Sequence, residues 1–76
     1  MTAKRLLREH THTIVPNDGA SLAELLGVEE LRDQGNFMFT GSLDGTLVLI
    51  DTEPMDKDGD TIAVKAVFDM SQRRTA

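Results

Sequence analysis

The stretch FMFTGSLDGTLVLID, residues 37–51, decides the fold more than any other part of the sequence. At its centre, Asp44-Gly45 is typical of a two-residue type I′ turn, in which both central residues take a positive φ. The apolar residues on both sides of this dipeptide predict a pair of antiparallel strands. If the hairpin closes there, Phe39 lies opposite Ile50 and Gly41 lies opposite Val48.

A second turn, among Lys57, Asp58 and Gly59, predicts a third strand and therefore a three-stranded antiparallel meander. A symmetric register about this turn predicts a second set of facing residues. The expected pairs are Val48 with Phe68, Ile50 with Ala66, Thr52 with Val64, and Asp51 with Lys65. The last of these would be a favourable cross-strand charge pair.

The two registers divide the meander into two faces. One face is apolar almost throughout, and we expect a helix to cover it; its members are Phe37, Phe39, Val48, Ile50, Ile62, Val64, Ala66 and Phe68. The second face has an aliphatic centre beside polar residues: Met38, Leu47, Leu49, Ala63 and Val67 lie with Thr40, Asp51, Lys65 and Asp69. A two-layer domain normally leaves such a face polar. The aliphatic centre therefore predicts an interaction surface, cover by the N-terminal segment, or a different register.

The first half of the chain predicts a strand, a turn and a broken helix. Residues 10–15 are β-prone, so we expect a strand from about Leu7, although residues 3–10 could instead form a short helix. Residues 16–19, Pro-Asn-Asp-Gly, favour a turn.

Residues 21–24, Ser-Leu-Ala-Glu, have the spacing of a capping box, with Ser21 as the N-cap. Gly27 stops or kinks the helix, and residues 28–32 continue it until Gly35. The expected helix-side core is Leu22, Leu25, Leu26, Val28 and Leu31.

These elements predict a single α+β domain over residues 1–76 in the order β-α-β-β-β. The meander packs against the short broken helix, and residues 1–5 and 71–76 are expected to be flexible basic ends. Two partners for the first strand stay open. It could add to an edge of the meander or pair with a second copy of the chain.

Composition narrows the classes of protein to consider. A chain of 76 residues forms one domain with marginal stability. It has no cysteine, so disulfides, thiolate metal sites and cysteine catalysis are excluded. No apolar run approaches the roughly 20 residues that span a bilayer, and the first eight residues do not resemble a signal peptide. We therefore expect a cytoplasmic protein without membrane association.

Charge is distributed unevenly. The net charge is −5, and all 13 acidic residues lie between Glu9 and Asp69. The basic residues of the two ends could form one patch that meets phosphates: Lys4, Arg5, Arg8, Arg73 and Arg74. The acidic body repels nucleic acid and attracts basic protein surfaces, so nucleic acid is not an expected partner.

No motif predicts a catalytic or metal site. His10 and His12 would share a face of a strand, but no third ligand is fixed near them. The acidic loop at residues 56–60 lacks the glycine and glutamate positions of an EF-hand. Ser21 is better used as a helix cap, Ser42 has no base near it in the sequence, and Ser71 lies in the expected tail, so no serine is predicted to be an activated nucleophile. We expect neither a cofactor nor a bound metal, and no enzymatic activity.

The expected function is therefore a small non-catalytic protein–protein interaction or regulatory module, most simply a homodimer. Its predicted interaction surface consists of Met38, Leu47, Leu49, Asp51, Glu53, Lys65, Val67 and Asp69. Two alternatives stay open. One is a stoichiometric inhibitor that occupies a basic nucleic-acid-binding surface of a larger protein. The other is a nucleic-acid-binding accessory protein that uses the basic termini.

Overall fold

The computed structural model describes residues 5–70 as a five-stranded antiparallel sheet with one short helix. The elements are β1 (Arg5–Pro16), α1 (Gly19–Leu26), β2 (Glu30–Gly35), β3 (Met38–Leu43), β4 (Thr46–Pro54) and β5 (Thr61–Asp69). The strands lie in the order β1-β5-β4-β3-β2. The domain is thus mostly β with some helix, which agrees with the α+β class in this broad sense.

The predicted flexible ends lie almost wholly outside the described residues. Residues 1–4 and 71–76 are not among them, so that prediction stays a prediction there. Arg5, which was assigned to the N-terminal end, is the first residue of β1. This strand pairs with β5 at an edge of the meander, which is one of the two arrangements that the sequence left open.

The first hairpin of the meander is confirmed. Asp44 and Gly45 have φ values of 52° and 79°, the positive pair that a type I′ turn requires. Phe39 pairs with Ile50 and Gly41 pairs with Val48, as the turn predicts. Local turn chemistry therefore sets this register.

The second hairpin follows the predicted register only near its turn. Thr52 pairs with Val64 as expected, but the register shifts between Asp51 and Thr52 because β5 contains one extra residue. Beyond this β-bulge, Ile50 pairs with Val67 and Val48 pairs with Asp69. The predicted pairs of these two residues with Ala66 and Phe68 are wrong.

The predicted charge pair of Asp51 with Lys65 is also wrong, for the same reason. Asp51 pairs with Ala66, and Lys65 is the extra residue of the bulge. The Lys65 Nζ atom instead lies 4.0 Å from a carboxylate oxygen of Glu53. Because of the bulge, Lys65 forms an ion pair with Glu53 of β4 instead of the predicted pair with Asp51 of the same strand.

The second half of the predicted broken helix is a strand. Gly27 ends α1 in the left-handed conformation, with φ 69°, as a C-cap glycine does. The chain then turns onto the edge of the sheet, and the Glu29 N–H donates to the Ser42 carbonyl at 2.8 Å. Pairing of β2 with β3 outweighs the local helical tendency of residues 28–32, since tertiary context routinely overrides propensity. The order is consequently β-α-β-β-β-β rather than β-α-β-β-β.

The N-cap of α1 is Asp18 rather than Ser21. The Asp18 carboxylate accepts the Ser21 backbone N–H at 2.6 Å, and the Ser21 hydroxyl donates to the same carboxylate at 3.0 Å. A carboxylate at this position satisfies an N–H group that the helix itself leaves free. The capping-box interpretation of residues 21–24 is therefore wrong.

The core lies on the inner face of the sheet, which is the face that α1 covers. Leu22 and Leu26 of the helix pack there against the strands. The strand residues of this core are Phe39, Leu43, Val48, Ile50, Ile62, Val64 and Val67. Val28 and Leu31 pack against it from β2 and the loop before it, whereas Leu25 is 39% exposed and does not belong to the core. Because of the bulge, Val67 takes the inner position opposite Ile50 that was predicted for Ala66, and Asp69 takes the position opposite Val48 that was predicted for Phe68.

Candidate interaction surface

The outer face is the side of the sheet opposite α1, and its residues follow from the strand register. Directly paired residues of an antiparallel sheet point to the same face. One row crosses all five strands and consists of Leu6, Phe68, Leu49, Thr40 and Arg32. The three residues from β1, β5 and β4 in this row are large and apolar, so the middle of the outer face is hydrophobic.

The neighbouring rows extend this hydrophobic region. Leu47 precedes Leu49 by two residues on β4 and therefore lies on the same face. Ala66 of β5 and Met38 of β3 both pair with Asp51, one on each side of β4. We call the whole set the outer apolar patch: Leu6, Met38, Leu47, Leu49, Ala66 and Phe68. Leu6 and Leu47 are 47% and 48% exposed, whereas Leu49 at the centre is 8% exposed.

No element among residues 5–70 is left to cover the outer apolar patch. The helix packs against the inner face, and the five strands all belong to the one sheet. Apolar patches that are rimmed by polar residues mark interaction sites in soluble proteins. Cover by the N-terminal segment was one of the predicted alternatives for this face. Arg5–Pro16 does not cover it, because this segment forms an edge strand of the sheet.

Charged residues surround the outer apolar patch. Asp51 is half-buried and Glu53 is exposed on β4, and Lys65 is half-buried on β5. The ion pair between Lys65 and Glu53 joins side chains that are 43% and 54% exposed, so it contributes little to stability. Glu9 and Arg32 are exposed at the two edges of the face. The charges around the outer apolar patch are therefore available to a partner, because no strong ion pair within residues 5–70 holds them.

Six of the eight predicted surface residues lie on the outer face, namely Met38, Leu47, Leu49, Asp51, Glu53 and Lys65. Val67 and Asp69 do not, because the bulge turns both inward. Val67 is fully buried, and Asp69 is 4% exposed. An Asp69 carboxylate oxygen lies 3.8 Å from the guanidinium of Arg5 across the β1–β5 pair. Leu6 and Phe68 were not predicted on this face: Leu6 lies there because β1 pairs with β5, and Phe68 lies there because of the bulge in β5.

The two histidines lie where β1 is irregular. Glu9 pairs with Ala66 and Thr13 pairs with Val64, which leaves residues 10–12 as a bulge on β1. His10 is half-buried with an Nε2 atom that has no hydrogen-bond partner among the described residues, and His12 is exposed. The expected shared face of a regular strand is thus broken. In the range 5–70, no group of three or more His, Asp or Glu side chains is arranged to hold a metal ion.

The acidic loop stabilises its own turn, and two grooves are lined entirely by residues of the range 5–70. The Asp56 carboxylate accepts the Asp60 N–H at 2.8 Å, so it stabilises its own turn. One groove of about 360 Å³ lies between α1 and β1, and another of about 230 Å³ lies beside the β2–β3 turn. Neither groove is lined by a histidine.

The predicted basic patch is described only in part. Arg5 and Arg8 are exposed on β1, at the edge of the sheet. The other three members, Lys4, Arg73 and Arg74, lie outside the described residues. Their proximity to one another consequently stays a prediction.

Comparisons of the chain with models of protein families, with curated proteins and with solved structures find no match. Within residues 5–70, no helix has the length and apolar character needed to cross a membrane. The interpretation of the outer apolar patch therefore rests on its geometry and chemistry.

Proposed function

We propose that the protein is a small non-catalytic interaction or regulatory module that binds another protein through the outer apolar patch. The observation that carries this proposal is the exposure of Leu6 and Leu47, each close to half, on a sheet face that no described element covers. Phe68 pairs with Leu6, and Met38 lies on the same face opposite Asp51. Aromatic residues and methionine are enriched in protein interfaces.

The expected gain from covering this face is substantial for a small domain. Full burial of a leucine or phenylalanine side chain contributes roughly 1.5–3 kcal/mol, so completing the burial of a half-exposed leucine contributes about half of that. A chain of 76 residues buries only about 60% of its unfolded surface by itself. Association supplies additional burial that the short helix cannot provide.

A homodimer is the simplest form of this proposal. In a twofold dimer the same patch serves on both subunits, so one apolar surface covers another. Such an interface needs no further partner to remove the outer apolar patch from water.

A larger protein with a basic surface is the second candidate partner. Asp51 and Glu53 border the outer apolar patch on β4, and their carboxylates favour a cationic surface. A stoichiometric inhibitor that occupies a basic nucleic-acid-binding surface would be one form of such a module. Binding to a basic partner would weaken with added salt, whereas an association that is mainly apolar would not.

Sedimentation equilibrium of three chains tests the proposal. The parent is expected to be a dimer and Leu47→Asp a monomer, because the substitution places a carboxylate in the middle of the interface. Leu25→Asp is the matched control, since Leu25 is a leucine of similar exposure, 39%, on the helix. It should remain a dimer. Circular dichroism verifies that each variant is folded, and a monomeric parent would eliminate the homodimer.

A further inference from the structure

The outer face carries an acidic residue at one edge and a basic residue at the other. Glu9 lies on β1 and pairs with Ala66, and Arg32 lies on β2 and pairs with Thr40. Both side chains are exposed. Four strand spacings of about 4.8 Å separate the two edge strands, so these charges lie roughly 19 Å apart and cannot pair within one chain. Neither forms an ion pair with any other residue of the described range.

The positions of these two charges distinguish between the possible twofold dimers. If the twofold axis runs parallel to the strands over β4, the central strand, then β2 of one copy lies over β1 of its partner. Each residue keeps its position along the strands under this rotation. Arg32 then lies over the partner's Leu6, and the partner's Glu9 is one row away, about 7 Å along the strand.

The other face-to-face arrangement has its axis across the strands. It places β2 over β2 of the partner and, when the row of Leu49 overlaps with itself, Arg32 over the partner's Arg32. It also places Leu47 over the partner's Asp51. Like charges in register and an acid against a leucine both disfavour this arrangement.

We infer that two copies of the chain pack outer face to outer face with the twofold axis along β4, so that Arg32 of each copy pairs with the partner's Glu9. This inference rests on the proposed function, because it specifies the partner and its orientation. The aliphatic part of Arg32 covers the partner's half-exposed Leu6 while its guanidinium reaches the carboxylate at the rim. Leu47 and Leu49 each meet their own copies at the axis.

Two like-charge contacts at the axis of this dimer are unfavourable, that of Asp51 and that of Glu53, because both residues lie on the outer side of β4. The ion pair of Glu53 with Lys65 offsets part of the second repulsion. Asp51 lies on the central strand, so it faces the partner's Asp51 across sheets that are about 10 Å apart. Two carboxylates at this separation repel each other at low ionic strength. The dimer should consequently tighten when Asp51→Asn removes the charge.

Charge reversal tests the orientation. Arg32→Glu and Glu9→Arg should each raise the dimer dissociation constant about tenfold at low salt, because each converts two attractive pairs into two repulsive ones. The double variant Arg32→Glu/Glu9→Arg should return to within about threefold of the parent. Glu24→Arg reverses an exposed charge on α1, away from the outer face, and should leave the dissociation constant unchanged.

Crosslinking provides an independent measurement, because the natural chain has no cysteine. A short bis-maleimide should join two Leu47→Cys chains, since residue 47 lies at the twofold axis. It should not join two Leu6→Cys chains, although Leu6 has nearly the same exposure, 47% against 48%. The two copies of residue 6 lie on opposite edges of the dimer.

The outcomes separate this inference from the proposal beneath it. Rescue in the double variant together with selective crosslinking at position 47 would support it. Two results would overturn the orientation but not the homodimer. One is a dimeric parent whose double variant dissociates as easily as either single variant, and the other is crosslinking at position 6 instead of position 47. A monomeric parent would overturn both.

Discussion

Replacing Gly41 by alanine should destabilise the domain by about 2 kcal/mol. Gly41 lies on β3, where the chain from α1 crosses onto the sheet edge. A Cβ atom at this position would overlap the Glu30 carbonyl oxygen and lie 2.7 Å from Val28 Cγ1. The backbone of β2 would have to move away, since the overlapping oxygen belongs to the main chain and not to a flexible side chain.

The magnitude follows from two opposing terms. Overpacking of this kind typically costs about 1–3 kcal/mol, and a clash with backbone belongs at the upper end. Alanine also restricts the unfolded chain, which offsets about 0.4–1 kcal/mol. The total stability of a domain of this size is about 4–11 kcal/mol, so a net loss of about 2 kcal/mol is a large part of it. The melting temperature should fall by roughly 8–16 °C.

Urea unfolding followed by circular dichroism measures this effect. All samples must have the same protein concentration, because an association equilibrium makes the transition concentration-dependent. Gly19→Ala is the matched control. A Cβ atom there would lie 3.5 Å from the nearest atom, Leu31 Cδ2, at an ordinary contact distance on the first turn of α1. Its stability should be equal to or slightly above that of the parent. If Gly41→Ala is also within 0.5 kcal/mol of the parent (about one quarter of the expected loss), the close approach of β2 to β3 is wrong.

Two further predictions test the corrected helix start and the β-bulge. Asp18→Ala should cost about 1 kcal/mol in urea unfolding, and Ser21→Ala should cost clearly less, because the Asp18 carboxylate receives the helix N–H group. Equal losses, or a larger loss for Ser21→Ala, would restore Ser21 as the N-cap. Val67→Lys should abolish folding, since it places a charge at a fully buried position, while Phe68→Lys should fold and lose only association. The opposite order in circular dichroism spectra would mean that β5 follows the symmetric register without a bulge.

The first hairpin could be predicted from the sequence because its determinants are local. Asp44-Gly45 specifies a turn type, and the turn type specifies the register on both sides. The second hairpin was predicted only as far as the bulge. Lys65 is the extra residue there, yet nothing in its chemistry differs from that of a regular strand residue. A bulge is decided by packing of the whole sheet, which a sequence pattern of period two does not encode.

Strand β2 was missed for a related reason. Its residues favour a helix locally, and their pairing with β3 is a tertiary effect. The turn before β3 also lacks the usual signal. Asn36 and Phe37 have φ values of 54° and 59°, although phenylalanine is rarely found in the left-handed region. The Phe37 carbonyl accepts the Thr52 N–H at 3.1 Å, so a contact from β4 helps to hold this unusual turn.

The candidate surface was predictable in outline, since alternation along β4 places Leu47, Leu49 and Asp51 on one face whether or not β5 is bulged. Its lateral extent was not predictable. Leu6 joins the face only because β1 pairs with β5, and Phe68 joins it only because the bulge exchanges its position with that of Val67. Both facts depend on long-range pairing.

Solvent paramagnetic relaxation of side-chain methyl groups tests most directly whether the outer apolar patch is an interface. With an inert soluble paramagnetic agent in an NMR sample, the methyl groups of Leu47 and Met38 should be shielded at high protein concentration. They should become accessible on dilution, as the dimer dissociates. Leu25 on α1 should relax strongly at every concentration. Leu47 methyl groups that relax as strongly as those of Leu25 throughout the concentration series would contradict the account.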